Sequence, residues 1–531
     1  MARQILLSGQ GVEPAADPDY QSIVDCHWSV IMIRFVSIVP EWFGGTSLSL
    51  VVLKSYLLAV KPYISISSDT FFSHENPADI ATQILSGNEN VFGFSIYMWN
   101  LETASKVSVL LKEKNPDCFI IWGGPGACFE GKSIIKKNPA VDVIVKGEGE
   151  IPLADIISEI EKQNPDLSHV PNLLYRKNEQ VIETTFEADA LILENQHYLL
   201  NTKGLEKIKS FYYETSRGCL FKCNYCAWTM MHEKKGVRRY PPDKVMADLE
   251  SLFSLPLLEM LLLTDSNILL GKNRTIKIFS AINKLNQKRR KNGLSMIKIN
   301  FEFNPEHLNE KMLREIKKVR VENYPIGLQS VNPGVLKVAN RPFNKKRYVE
   351  NIGKLRGKVG ASILVEVIYG LPADSYEGFK KTLEFVISEL NVDLLVCYRY
   401  SVLPGSVFWK QKEKYKMKHE ATPPYLLLSS DTFSEHDMNK AECLAYYIQL
   451  IYRVFRSLKK YIDKKIPGNR VLIYEKIADM FFSEYGDFLK PKLVYDNGFA
   501  EDIKKVRDRK NASVRRAMLS KARELADRFV D

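Results

Sequence analysis

Cysteine is scarce in this chain. Eight occur in 531 residues, and five of them stand alone. Such sparse, unpaired spacing excludes a disulfide framework and leads us to expect reduced thiols and a cytoplasmic setting. Long apolar runs are also missing. None reaches the roughly 18 residues that a membrane-spanning helix needs, so no membrane partner is expected. The first residues lack the basic start and apolar core of a secretory signal. No internal repeat or low-complexity tract stands out. What is present is ordinary globular composition, 45% hydrophobic and 26% charged, with a net charge of +12. An excess of that sign suits an anionic partner such as nucleic acid, although a solvated basic surface is the favoured reading.

A chain this long exceeds one ordinary core and should divide into domains. Residues 1–30 show no clear periodicity and form an N-terminal extension. From "IRFVSIV" onward, short β-rich runs alternate with helix-length segments: "YISISSD", "VFGFSIY", "CFIIWGG" and "VDVIVKGEGE" are the strands. This order predicts an α/β fold, a doubly wound parallel sheet over about residues 31–165. "PNLLYRKNEQVIET" reads as a hairpin inside a connector over residues 166–208. A second alternating series then gives strands at "FYYETS", "MLLLTDS", "IKINFEF", "NYPIGLQS", "SILVEVIYGLP" and "DLLVCYRYSVLP". Six βα units fall short of the eight in a closed barrel, so a partial TIM-like barrel is expected over 209–407. Residues 408–531 read as mostly helical and end strongly basic.

The three remaining cysteines lie together in "RGCLFKCNYCAW": Cys219, Cys223 and Cys226. Thiolates are soft ligands that suit zinc or an iron–sulfur cluster. A structural zinc site wants four ligands, and here a second pair is missing, though His232 could complete one. Three ligands on a four-iron cluster leave one iron open for chemistry. The loop also follows the first predicted barrel strand, and barrel folds place their chemistry at such strand ends.

The pattern C-x-x-x-C-x-aromatic-C in that position resembles the radical S-adenosylmethionine enzymes, with Tyr225 at the aromatic position. The resemblance implies a 4Fe–4S cluster on Cys219, Cys223 and Cys226 that binds S-adenosylmethionine, cofactor chemistry positioned by the protein. It further implies S-adenosylmethionine contacts from Tyr225, from Asp265 and Asn267 in "LLLTDSN", and from Glu302 in "INFEFNPEHL". Gln329 and Ser330 in "IGLQSVNPGVLKVANRP" and Glu366 in "VEVIYGLP" complete that group.

Upstream, the order strand, "SIY", "GGP", "GEGE", cysteine loop closely resembles the cobalamin-binding radical enzymes, over about residues 31–405. Ligands of doubly wound sheets sit beyond the carboxyl ends of the strands. The resemblance therefore implies a cobalamin site built from Ser95, Tyr97, Gly123, Gly124, Gly147 and Glu148. One departure stands out. Many cobalamin proteins carry D-x-H-x-x-G after the first strand, and this chain has "PEWFGG", with Trp42 and Gly45 at the His and final Gly offsets. An indole nitrogen only donates and cannot ligate cobalt, so the lower face of the corrin should lack a histidine, with Trp42 beside it.

The expected activity is C-methylation of an unactivated carbon on a small-molecule or peptide substrate, with a one-electron reductant such as flavodoxin or ferredoxin. A radical cyclase or rearrangement enzyme of the same architecture is the alternative. A methylthiotransferase acting on tRNA or protein would need three further N-terminal cysteines. Cys26, Cys118 and Cys128 are the nominees, but they are poorly placed for it. A zinc-stabilised nucleic-acid-binding module is the reading outside enzymes. No catalytic acid or base is singled out. The C-terminal region resembles the uncharacterised helical domain of some cobalamin-binding radical enzymes.

Overall fold

The computed structural model describes residues 31–529 except 44, 163, 178–179, 188–190, 228–235 and 490–496. Of residues 42, 497 and 498 it describes only the backbone. The extension 1–30, with Cys26, and His232 lie outside the described residues.

Seven strands form the first sheet: β1 (Met32–Val39), β2 (Ser65–Phe72), β3 (Val91–Ser95), β4 (Phe119–Gly123), β5 (Val143–Val145), β6 (Leu173–Lys177) and β7 (Gln180–Glu183). Their order is β2-β1-β3-β4-β5-β6-β7. The first five run parallel. Strands β3 and β5 are buried at every position, as expected where helices cover both faces. Helices α1 (Leu48–Val60) and α4 (Glu150–Ile160) pack Leu50, Leu57 and Ile156 against Phe35 and Ile121. On the other face, α2 (Pro77–Ile84) and α3 (Leu101–Lys114) bring Ile80 and Val107 against Phe92 and Trp122. The hairpin expected in the connector instead extends this sheet. Strand β6 pairs antiparallel with β5, and β7 with β6. Hydrophobic Leu173 and Leu174 are fully buried there, which a free connector would not achieve.

Six parallel strands build the second unit: β8 (Ser210–Tyr213), β11 (Met260–Leu263), β12 (Lys298–Phe301), β13 (Tyr324–Gln329), β14 (Ile363–Tyr369) and β15 (Leu394–Arg399). Hydrogen bonding divides them three and three, as β12-β11-β8 and β13-β14-β15, with a parallel bridge from Ile299 to Val321 at the seam. The result is the expected partial barrel. Between β8 and β11, two short strands, β9 (Ser216–Arg217) and β10 (Arg238–Arg239), pair antiparallel.

The C-terminal region is helical, as expected, with long helices at Glu435–Arg453, Arg470–Tyr485 and Ala512–Asp527. The first opens on a Ser434 cap that accepts the Asp437 N–H at 3.1 Å. Its apolar face, including Leu444 and Ile448, merges with the barrel core. Among the described residues, no helix is long and apolar enough to cross a membrane.

The two units meet through α1. Val51 and Val52 leave the first sheet and join the barrel core. Phe43 stacks on Tyr212 of β8, ring centroids 4.3 Å apart. Gly45 lies against the same strand: a Cβ there would meet the Ser210 carbonyl oxygen at 2.7 Å. Close backbone packing on the barrel accounts for that glycine.

Candidate active site

The cysteine loop starts where β8 ends. The β9–β10 ladder ties its base together. Gly218 has φ +93°, and a Cβ on it would run into the Gly236 carbonyl oxygen, so only glycine fits this turn. Asp265, just beyond β11, holds the loop's entry. Its carboxylate accepts from Thr215 N at 3.0 Å, from Thr215 Oγ1 at 2.7 Å and from the Ser216 hydroxyl. Downstream, Asn224 donates its N–H to Ala339 O at 3.0 Å and its amide to Val338 O at 2.7 Å. Phe408 N donates to Asn224 O at 3.0 Å, so the start of the C-terminal region also buttresses the loop.

Cys223 is buried, and Cys219 and Cys226 are partly buried. Beside them stands Arg341, absent from the sequence expectations. Its Nη1 donates to Tyr225 Oη at 2.9 Å and lies 3.8 Å from Cys223 Sγ, while Nη2 donates to Gly327 O. Burial opposes the guanidinium charge, but Tyr225 and Cys223 raise its pKa further. Arg341 thus places a fixed positive charge beside the Cys223 sulfur. Burial raises the Tyr225 hydroxyl, which stays protonated.

A cavity of about 860 Å³ opens in front of this loop, and both units line it. From the barrel come Cys219, Cys223, Cys226, Tyr225, Asp265, Asn267, Glu302, Gln329, Arg341 and Glu366. The first sheet contributes Ser95, Tyr97, Gly123, Gly124, Gly147 and Glu148, from beyond the carboxyl ends of β3, β4 and β5. The order 2-1-3-4-5 reverses at β1/β3, where such sheets bind ligands.

Ser330 and Gly45 are not among the lining residues. Ser330 is buried 3.4 Å from Thr382 Oγ1 and accepts the Asn332 N–H at 3.1 Å. Glu148 lines the cavity, yet its carboxylate is taken by Arg238, at 3.1 Å through Oε2, and by Arg217 at 3.4 Å. Trp42 lies in the short helix Glu41–Phe43, and its side chain is outside the described residues. Asn267 holds His307 Nδ1 at 2.8 Å.

Several polar groups face the cavity without a protein partner or with a perturbed charge. Among the described residues Gln329 Oε1, buried in a residue at φ 71°, has no hydrogen-bond partner. Burial raises the pKa of Glu302, with Arg341 opposing. Burial and the neighbouring Glu302 push Glu366 up to about 7, against a hydrogen bond from Tyr398 Oη at 3.3 Å. Buried polar atoms without partners are expensive, and a polar ligand with hydroxyl and amino groups would satisfy them. On the opposite wall, Ser49 Oγ lies 2.8 Å from Ser47 Oγ and 2.9 Å from Ser95 Oγ. A Cβ on Gly123 would point into open space, its nearest neighbour the Val145 carbonyl at 3.9 Å. Gly124 (φ +93°) and Gly147 (φ +76°) hold turns that other residues resist. This wall is a glycine and serine cradle suited to a broad ligand.

The donor sets therefore fit the implied groups: three thiols for an iron–sulfur cluster, the Gln329 oxygen with Glu302 and Glu366 for S-adenosylmethionine, and a backbone-lined shelf for a corrin. Among the described residues, no three His, Cys, Asp or Glu side chains converge on a single-ion site. Cys118 and Cys128, nominated for a second cluster, have their thiol pKa pushed by burial to about 11 each.

The Radical SAM superfamily model matches residues 213–386, and the B12 binding domain model matches residues 58–157. The chain is 25% identical over 335 residues to the cobalamin-dependent radical SAM methyltransferase TokK of Streptomyces tokunonensis, covering 60% of this chain and 47% of that protein. It is 33% identical over 129 residues to the anaerobic magnesium-protoporphyrin IX monomethyl ester cyclase of Synechocystis sp., covering 23% and 25%. The solved structure of the cobalamin-dependent S-adenosylmethionine radical enzyme OxsB, with aqua-cobalamin and S-adenosylmethionine bound, superposes with a TM-score of 0.66 at 14% identity, covering 95% of this chain and 82% of that one. The chain spans about half the length of TokK and of a carbapenam methyltransferase it also matches, 47% of each.

Proposed function

We propose that this chain, a member of the radical SAM superfamily that also carries a B12-binding domain, is a cobalamin-dependent methyltransferase acting on an unactivated carbon of a small molecule. One observation carries the reading: the cysteine loop and the glycine–serine shelf open into the same cavity. Two separate pockets could not pass a carbon substrate between two cofactors. When bound, the cluster and S-adenosylmethionine supply radical activation, and the cobalamin supplies the methyl carrier.

The chain's own residues hold and insulate these groups. Cys219, Cys223 and Cys226 hold the cluster, with Arg341 placing positive charge beside Cys223 Sγ. Gln329, Glu302 and Glu366 offer hydrogen-bonding atoms to S-adenosylmethionine along the barrel lumen. Ser95, Tyr97, Gly123, Gly124 and Gly147 hold the corrinoid. Phe43, Leu48, Val52, Leu262 and Leu364 make apolar wall that keeps water from the reacting centre. A reductant of the flavodoxin or ferredoxin class delivers the single electron.

The similarity to the cyclase supports a second reading, a radical cyclisation or rearrangement in which cobalamin transfers no methyl group. The discriminating experiment uses anaerobically reconstituted protein loaded with hydroxocobalamin, a low-potential reductant and S-adenosylmethionine. Methyl transfer must leave S-adenosylhomocysteine behind. Its appearance supports the methyltransferase. Formation of 5′-deoxyadenosine alone, with the corrinoid bound, supports the cyclase.

A further inference from the structure

A buried ion cluster joins the two units at the edge of the cavity. Arg217 Nη2 lies 2.5 Å from Glu150 Oε1 and 2.7 Å from Glu214 Oε1, and Nη1 lies 3.4 Å from Glu148 Oε1. Arg238 holds both Glu148 oxygens and donates to Leu191 O at 3.0 Å. Tyr240 Oη closes the group, accepting from Arg217 at 2.9 Å and donating to Glu214 at 2.9 Å. Glu148 and Glu150 come from the loop after β5 and the first turn of α4, and Glu214 directly follows β8. The two arginines are the paired residues of β9 and β10 at the base of the cysteine loop.

The order along each strand of chain gives this cluster its meaning. Gly147, in the left-handed region at φ +76°, lines the corrin shelf and immediately precedes Glu148. Arg217 immediately precedes Gly218, at φ +93°, and then Cys219. A ligand that settles on Gly147 therefore acts on a carboxylate one residue away. That carboxylate grips the arginines that set the first cysteine. The cluster is also stiff. Arg217, Arg238, Tyr240 and Glu150 are buried and Glu148 and Glu214 are partly so, and displacing one charge would strand its partner in low dielectric. Burial raises the Glu150 pKa, against the pull of Arg217.

We propose that Glu148 and Glu150, through Arg217 and Arg238, couple occupancy of the corrin shelf to the conformation of the cysteine loop. These are positioning residues that act through the two arginines. The inference rests on the cobalamin reading given above. Coupling of this kind is reciprocal, so filling either end favours the other.

The test is hydrogen exchange of the full reconstituted chain, with and without hydroxocobalamin, read at amides 216–226 and 238–240. Binding is followed separately by corrinoid absorbance. Wild type should bind hydroxocobalamin and slow exchange in those amides by about 5-fold or more, the lower end of usual coupling strengths. Arg238→Gln, a change outside the cavity lining, should still bind it, but the slowing should fall to within about twofold of none. The double variant Glu148→Gln with Arg238→Gln strands no charge and decides the matter if the single variant folds poorly. A merely structural ion cluster predicts faster exchange throughout the variant with the ligand-induced slowing retained, and that result overturns the proposal. So does wild type that binds hydroxocobalamin with no change in the loop. Failure to bind hydroxocobalamin at all overturns the cobalamin reading and the coupling with it.

Discussion

Replacing Arg341 by Met would remove the one positive charge that the described residues place against Cys223 while keeping a side chain of similar reach. The guanidinium lies 3.8 Å from Cys223 Sγ. At an effective dielectric of about 20, two unit charges at that separation interact by about 4 kcal/mol, or about 170 mV on a one-electron couple. Cluster charge is shared over several iron and sulfur atoms, so a fall in reduction potential of about 50 to 170 mV is the expected range. The sign is fixed: a nearby cation favours the more negative, reduced cluster, and its loss makes reduction harder. The assay is a redox titration of the reconstituted cluster followed by electron paramagnetic resonance. Arg341→Lys serves as the control, since it keeps the charge and gives up the fork that holds Tyr225 and Gly327. A potential equal to wild type in Arg341→Met would refute the placement of Arg341 beside the cluster.

Single Ala substitutions at Cys219, Cys223 or Cys226 should each lower bound iron and abolish reductive cleavage of S-adenosylmethionine, whereas Cys397→Ala and Cys443→Ala should retain both; iron assay and 5′-deoxyadenosine release check this. Gly218→Ala forces a side chain into the left-handed region, at about 1–2 kcal/mol, and against the Gly236 carbonyl, so cluster incorporation should fall several-fold while the circular dichroism of the whole chain changes little. Burial and Glu302 raise the folded pKa of Glu366 from 4.5 to about 7. Between those values the native state holds more protons than the unfolded chain, so stability declines as pH rises through the window, by about 3 kcal/mol in all. Glu366→Gln should remove that part of the decline, read by urea unfolding of the apoprotein at pH 5 and pH 8; an unaltered slope would contradict the burial argument.

The cysteine loop was legible in sequence because its ligands are close together and its supporting strand is a local pattern. Glu302 and Gln329 were legible as strand-end residues, whereas Glu366 sits in the middle of β14 and reaches the same cavity from there. Arg341 was missed although it stands in the quoted "VANRP". Its importance comes from Cys223 and Gly327, residues 118 and 14 positions away, which no periodicity records. Ser47 and Ser49 lie in "TSLSL", and their hydroxyls matter only because β3 brings Ser95 alongside. Glu148 was expected at the corrin, and its tie to Arg238 spans 90 residues. The hairpin after Val170 carried the right local signal. Its place in the first sheet depended on the edge that β5 leaves open, a tertiary fact.

The central claim is that cluster and corrinoid face each other in one cavity. The direct test is electron paramagnetic resonance of a single sample holding reduced cluster and cob(II)alamin on wild-type protein, compared with samples holding either alone. Two paramagnets in one cavity must interact, so the account predicts dipolar broadening and faster relaxation of the cob(II)alamin signal only when the cluster is reduced. A spectrum that is the plain sum of the two separate ones, with both cofactors bound, would contradict it.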